Sequence, residues 1–170
     1  LSACASGGST AKNAEKAAAA LAESMLNAPS EPMQRFGSIL ESGEESALTA
    51  YKDAWEDEKA LCSENGFTSF IEEVLTMQLM AEEMNETVKV TAVKTEPYEE
   101  KDRVVRFTAD VTVNDTENMT VNGKCQFDED GKVSFIELDT NELEMTLIAN
   151  DNADPTQKPP ANGNAITLNE

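Results

Sequence analysis

There is no histidine in this chain, which removes the side chain that most often moves protons near neutral pH. Any acid–base step would fall to a carboxylate, a lysine or a tyrosine with a displaced pKa. The same absence, with no CxxC pair among three cysteines, leaves no ligand set for zinc, and no metal or other cofactor is expected. A GxSxG turn is missing, and with it the elbow that presents a hydrolase serine. Gly7-Gly8 precedes no strand-to-helix unit, so no phosphate loop is read there, and no catalytic residue is assigned. Positive charge is scarce: 13 bases face 33 acids, giving a formal net charge of −20 spread along the chain. Such a field repels phosphate backbones and anionic lipid surfaces, so nucleic acid is excluded as a partner. No run approaches the roughly 18 apolar residues of a membrane span.

What is present begins at the N-terminus. Leu1-Ser2-Ala3-Cys4, followed by the small residues Ala5-Ser6-Gly7-Gly8-Ser9-Thr10, resembles a bacterial lipobox and its tether. The resemblance implies cleavage before Cys4, a diacylglycerol on its thiol, and a lipid-anchored, extracytoplasmic place in the cell envelope. Export also bears on Cys62 and Cys125, which would lie where a disulfide survives. Cys62 ends a helical segment and Cys125 sits on the apolar face of an expected strand. A bridge over so long a loop stabilises by about 4 kcal/mol in the chain-entropy picture. Two buried free thiols acting as small apolar side chains are the equal alternative.

Residues 1–10 are read as lipobox and tether, 11–149 as a single domain, and 150–170 as a polar tail. Ala14, Ala18, Leu21 and Met25 recur at helical spacing. Met33, Phe36, Gly37 and Leu40 suggest a second helix. Leu48, Tyr51, Trp55 and Cys62 mark one face of a third from Ala47, and Phe70, Val74, Met77, Ala81 and Met84 the face of a fourth from Phe67, after a break at Asn65-Gly66. The period then changes from 3.6 to 2. Val88, Val90 and Ala92 alternate with polar residues, as do Val105, Phe107, Ala109, Val111 and Val113 with Arg106, Thr108, Asp110 and Thr112. Met119, Val121, Cys125 and Phe127 supply a third strand and Val133 to Asp139 a fourth. Leu143, Met145 and Leu147 are read as a fifth. Asp128-Glu129-Asp130-Gly131 is a hairpin turn rather than a calcium loop, whose full ligand pattern is missing. The expectation is an α+β fold, with N-terminal helices packed on one face of a curved antiparallel sheet of four or five strands.

Helices followed by a meander, behind a lipobox and linker, resemble the cystatin-like or nuclear-transport-factor-2-like α+β domains found in bacterial lipoproteins. In that family the helices leave an apolar pocket used for enzymes, for ligand binding and for dimer or partner contacts, a homodimer included. Thr120-Val121-Asn122-Gly123 lacks the glutamine and spacing of a cystatin inhibitory loop, so protease inhibition is not carried over. Tyr51, Trp55, Phe70 and Phe107 are the candidate pocket lining, against the reading of all four as ordinary core. The expected function is a membrane-anchored, non-enzymatic binding or interaction module for a protein or small molecule. The alternative is an isomerase- or dehydratase-like enzyme using an apolar pocket in a cone-shaped α+β fold. Asp53 cannot serve Tyr51 in such an enzyme, because residues two apart on a helix face different ways.

Overall fold

The computed structural model describes residues 7–40, 43, 45–99 and 101–153; Cys4 and positions 154–170 of the expected tail lie outside the described residues. Helix α1 (Gly7–Leu26) buries the predicted stripe of Ala14, Ala18, Leu21 and Met25, joined by Ala22 and Leu26. Small alanines let this helix lie close to the sheet, and it packs on β1 (Val88–Thr95) and β2 (Val104–Val113) and against α5 (Glu64–Glu83). Leaving α1, Ala28 pairs through N–H and C=O with Val88, while the Asn27 side chain accepts from the Val90 N–H at 2.8 Å.

Gln78 of α5, fully buried, holds the α1–α2 corner. Its carboxamide accepts from the Ser30 N–H at 2.6 Å and donates to the Asn27 carbonyl at 2.7 Å, satisfying backbone groups that two helix ends leave free. Helix α2 (Glu31–Leu40) follows, with the Ser30 hydroxyl accepting from the Met33 N–H at 3.2 Å.

The expected single helix from Ala47 to Cys62 is two: α3 (Glu45–Asp53) and α4 (Glu56–Leu61), broken at Ala54-Trp55. At the break the Trp55 ring turns inward to meet Tyr51 and Phe70 edge-on, at 6.0 and 5.3 Å between ring centres. Helix α5, conversely, runs through the expected Asn65-Gly66 break, because Ser63 caps it by accepting from the Gly66 N–H at 3.2 Å.

The sheet is a curved four-stranded antiparallel meander in the order β1-β2-β3-β4, completed by β3 (Glu117–Phe127) and β4 (Val133–Asp139). As the alternation of β2 requires, Val105, Phe107, Ala109, Val111 and Val113 are buried, and Arg106 and its polar neighbours face away from the core. The outward face is laced by exposed cross-strand pairs such as Lys124–Glu137 and Lys94–Asp110, together with a Thr108–Asn122 hydrogen bond.

The expected fifth strand is a helix. Helix α6 (Asn141–Ala153) buries Leu143 and Leu147, four apart, and leaves Met145 72% exposed, which an alternating strand could not do. Thr140 starts it, its carbonyl accepting from the Glu144 N–H and its hydroxyl donating to the Glu144 carboxylate at 2.6 Å. The helix runs past Ala149 into the segment read as tail, just as α1 begins at Gly7 inside the segment read as tether.

As an edge strand β4 would expose a row of unpaired backbone groups, but α5 closes that edge with side chains. Ser63 donates to the Val133 carbonyl from both its N–H and its hydroxyl. The Ser69 hydroxyl accepts from the Ile136 N–H at 3.1 Å and donates to the Ile136 carbonyl at 3.0 Å, and the Glu73 carboxylate accepts from the Leu138 N–H. Gly66 allows this approach, since a Cβ there would collide with the Val133 carbonyl. Gly123 plays a similar part inside the sheet, where the Phe107 ring lies over it.

Candidate functional site

Of the four residues expected to line a pocket, Tyr51 and Phe70 have no exposed surface and Trp55 and Phe107 only a few per cent. Tyr51, Trp55 and Phe70 are packed against one another, and all four belong to one hydrophobic cluster with Met33, Val74 and Val105. The Tyr51 hydroxyl and the Trp55 indole N–H are sealed from water with no hydrogen-bond partner among the described residues. Burial pushes the Tyr51 hydroxyl up to about 12; the Trp55 N–H lies near enough to offset this in part, but not in hydrogen-bonding geometry. Asp53 is exposed, so no carboxylate from its own helix joins this tyrosine.

Cys62 and Cys125 are both buried free thiols in that same cluster. Cys62 pairs by its backbone with Val133, whose neighbour across the sheet is Phe127, so β4 stands between the Cys62 backbone and β3. Burial raises both thiols to about 12, with the Glu58 charge adding to the effect at Cys62 and Cys62 itself adding to it at Cys125. Neither is an accessible nucleophile at neutral pH.

A hollow of about 350 Å³ lies elsewhere, between the first turns of α1, the end of α4, the loop after β1 and the β3–β4 hairpin. Its floor is apolar, made by Ala14, Ala17, Leu61 and Phe127, and its rim carries Asn13, Tyr98, Asp130 and Lys132. The loop holding Tyr98 is pinned at its base by the Glu96 N–H to the Arg106 carbonyl and by the pairing of Glu99 with Val104. The half-buried Tyr98 ring therefore folds back edge-on against Phe127, 6.0 Å between centres. The hairpin is shaped by the Asp128 carboxylate, which accepts from the N–H groups of Asp130 and Lys132, and by Gly131 at φ 75°. Lys132 reaches back to donate to the Ala60 carbonyl at 2.6 Å, closing one end of α4.

Tyr98, Phe127 and Lys132 were not singled out as site residues from the sequence. Asp130-Gly131 was read as a turn, which it is, and Phe127 as a core strand residue, which it also is. The hollow arises where four separate segments meet, and no local spacing announces it. Among the described residues no group of three histidine, cysteine, aspartate or glutamate side chains is placed to hold a metal ion. The chain matches no protein-family pattern, no curated protein and no solved structure.

Proposed function

We propose that this chain is a membrane-anchored extracytoplasmic binding module, non-enzymatic, tethered through a lipid on Cys4 and presenting the hollow beside α1 as its binding site. The observation that carries the reading is the construction of the hollow, with an apolar floor and a polar rim in the size range of small-molecule sites. The Tyr98 hydroxyl, the Asn13 carboxamide and the Asp130 carboxylate make no hydrogen bond or ion pair with another described residue, so their bonding capacity is available to a ligand. By contrast, the aromatic group around Tyr51 has the density of a core and a hydroxyl that keeps its proton throughout the physiological range. The order of helices and then curved meander supports the resemblance to cystatin-like and nuclear-transport-factor-2-like lipoprotein domains.

Anchoring and binding fit together along the chain. Two residues, Ala5 and Ser6, separate Cys4 from the start of α1 at Gly7, so the three Cα steps reach at most about 11 Å. A lipid on Cys4 would hold the hollow close to the membrane surface. The anchor is tested by expressing the full-length precursor in bacteria fed an alkyne-bearing fatty acid. The expected result is label on the N-terminal peptide and membrane fractionation, both lost in Cys4→Ser. An unlabelled N-terminus whose chain continues upstream of Leu1 would remove the localisation.

A further inference from the structure

We propose that the hollow between α1, α4 and the β3–β4 hairpin takes an uncharged, polyhydroxylated ring, a hexose unit of an oligosaccharide; this deepens the binding-module reading and rests on it. Three properties of the lining select that chemistry. Groups available on the rim are of mixed character: the Asn13 carboxamide and Tyr98 hydroxyl both donate and accept, and the Asp130 carboxylate accepts. A ligand matching them needs several donors and acceptors along one edge, as vicinal hydroxyls supply. The half-buried Tyr98 ring, braced by Phe127, and the small side chains of Ala14 and Ala17 form an apolar platform for the C–H face of such a ring.

Charge completes the selection. A chain of net charge −20 with Asp130 at the rim disfavours an anion, while the Lys132 ammonium beside it disfavours a cation. A flat, wholly apolar ligand would leave the three polar groups desolvated without partners.

The test uses saturation-transfer NMR and calorimetry on the protein with two neutral probes, maltotriose and N,N′-diacetylchitobiose, and with indole as a flat apolar one. The expected result is that a saccharide binds and that Asn13→Ala and Tyr98→Phe each weaken it by roughly three- to tenfold, while Met145→Ala on the opposite helix leaves it unchanged. Both hollow variants are mild, since Asn13 is exposed on α1 and phenylalanine keeps the Tyr98 ring. Binding of indole alone, weakened by Tyr98→Ala, would overturn the saccharide class while leaving the hollow a binding site. Binding of none of the probes would overturn the inference, and Cys4 labelling would then separately decide the anchored-module reading.

Discussion

Replacing Ser69 by alanine removes one oxygen and almost no volume, yet it strips both backbone groups of Ile136 of their partners. Ile136 is 1% exposed, so water has no route to replace the hydroxyl. Two orphaned groups at about 1–3 kcal/mol each give an expected loss of roughly 2–6 kcal/mol. For a domain of this size, at about 2–4 °C per kcal/mol, that lowers Tm by roughly 4–24 °C. Urea denaturation followed by the fluorescence of the single tryptophan, Trp55, measures the loss, and hydrogen exchange at the Ile136 amide locates it. Because Glu73 holds Leu138 on the same edge, Ser69→Ala and Glu73→Ala should couple, the double variant departing from additivity by at least about 0.5 kcal/mol. A loss below about 0.5 kcal/mol for Ser69→Ala, with Ile136 still protected, would refute the reasoning, because it would mean the edge of β4 needs no cap.

Stability should fall as pH rises through the range just above the ordinary carboxylate pKa. Burial holds Glu73 above the usual carboxylate range, with Glu137, Glu72 and Glu144 adding to the effect, and burial raises Glu86 likewise, with Asp151 and Glu117 adding; the folded state therefore binds more protons than the unfolded chain there, and thermal melts should show Tm higher at the acidic end of that range, falling until both carboxyls have ionised in the fold. Tyr51→Phe should be neutral or stabilising by up to about 1 kcal/mol in denaturant titration, since it deletes a buried hydroxyl without a partner; a loss above about 2 kcal/mol would show that the hydroxyl is bonded. Leu147→Ala should cost about 2–5 kcal/mol while Met145→Ser costs less than about 0.5, a contrast that a strand in this segment would not give. Both thiols should react with a chromogenic disulfide reagent only after unfolding, and at alkaline pH their ionisation should draw the chain toward the unfolded state from about pH 9 upward.

The sheet was legible because burial on one face leaves a period of 2 that nothing in the sequence contradicts, as in Val105 to Val113. Helices α1 and α5 were legible for the same reason at period 3.6. Leu143-Met145-Leu147 was not, since residues spaced by two and by four satisfy both periods. The deciding signal was Thr140 ahead of Glu142 and Glu144, which starts a helix. The α3–α4 break went unread because Trp55 continues the helical stripe even as the backbone turns beneath it. Tyr51 and Trp55 have the composition of a ligand site and the density of a core, and only burial separates the two. The hollow was the least legible feature, assembled from Asn13, Leu61, Tyr98 and Lys132 across more than a hundred residues of chain.

Read from one end of the described residues to the other, the chain looks divisible, with five helices, then four strands and a closing helix. The hydroxyl of Ser69 makes that division false. It belongs to the helical half, yet its partner lies 67 residues later in the final strand, and Gly66 and Glu73 are shaped for the same distant edge. A fragment ending before Val133 would carry a glycine notch and two polar side chains with nothing to meet, and it would turn β3 into a bare rim. A fragment beginning after Glu83 would carry an uncapped β4. The two halves are cut to fit each other, so any split of this protein that keeps function has to keep α5 and β4 in the same piece or bring them back together as complementing fragments.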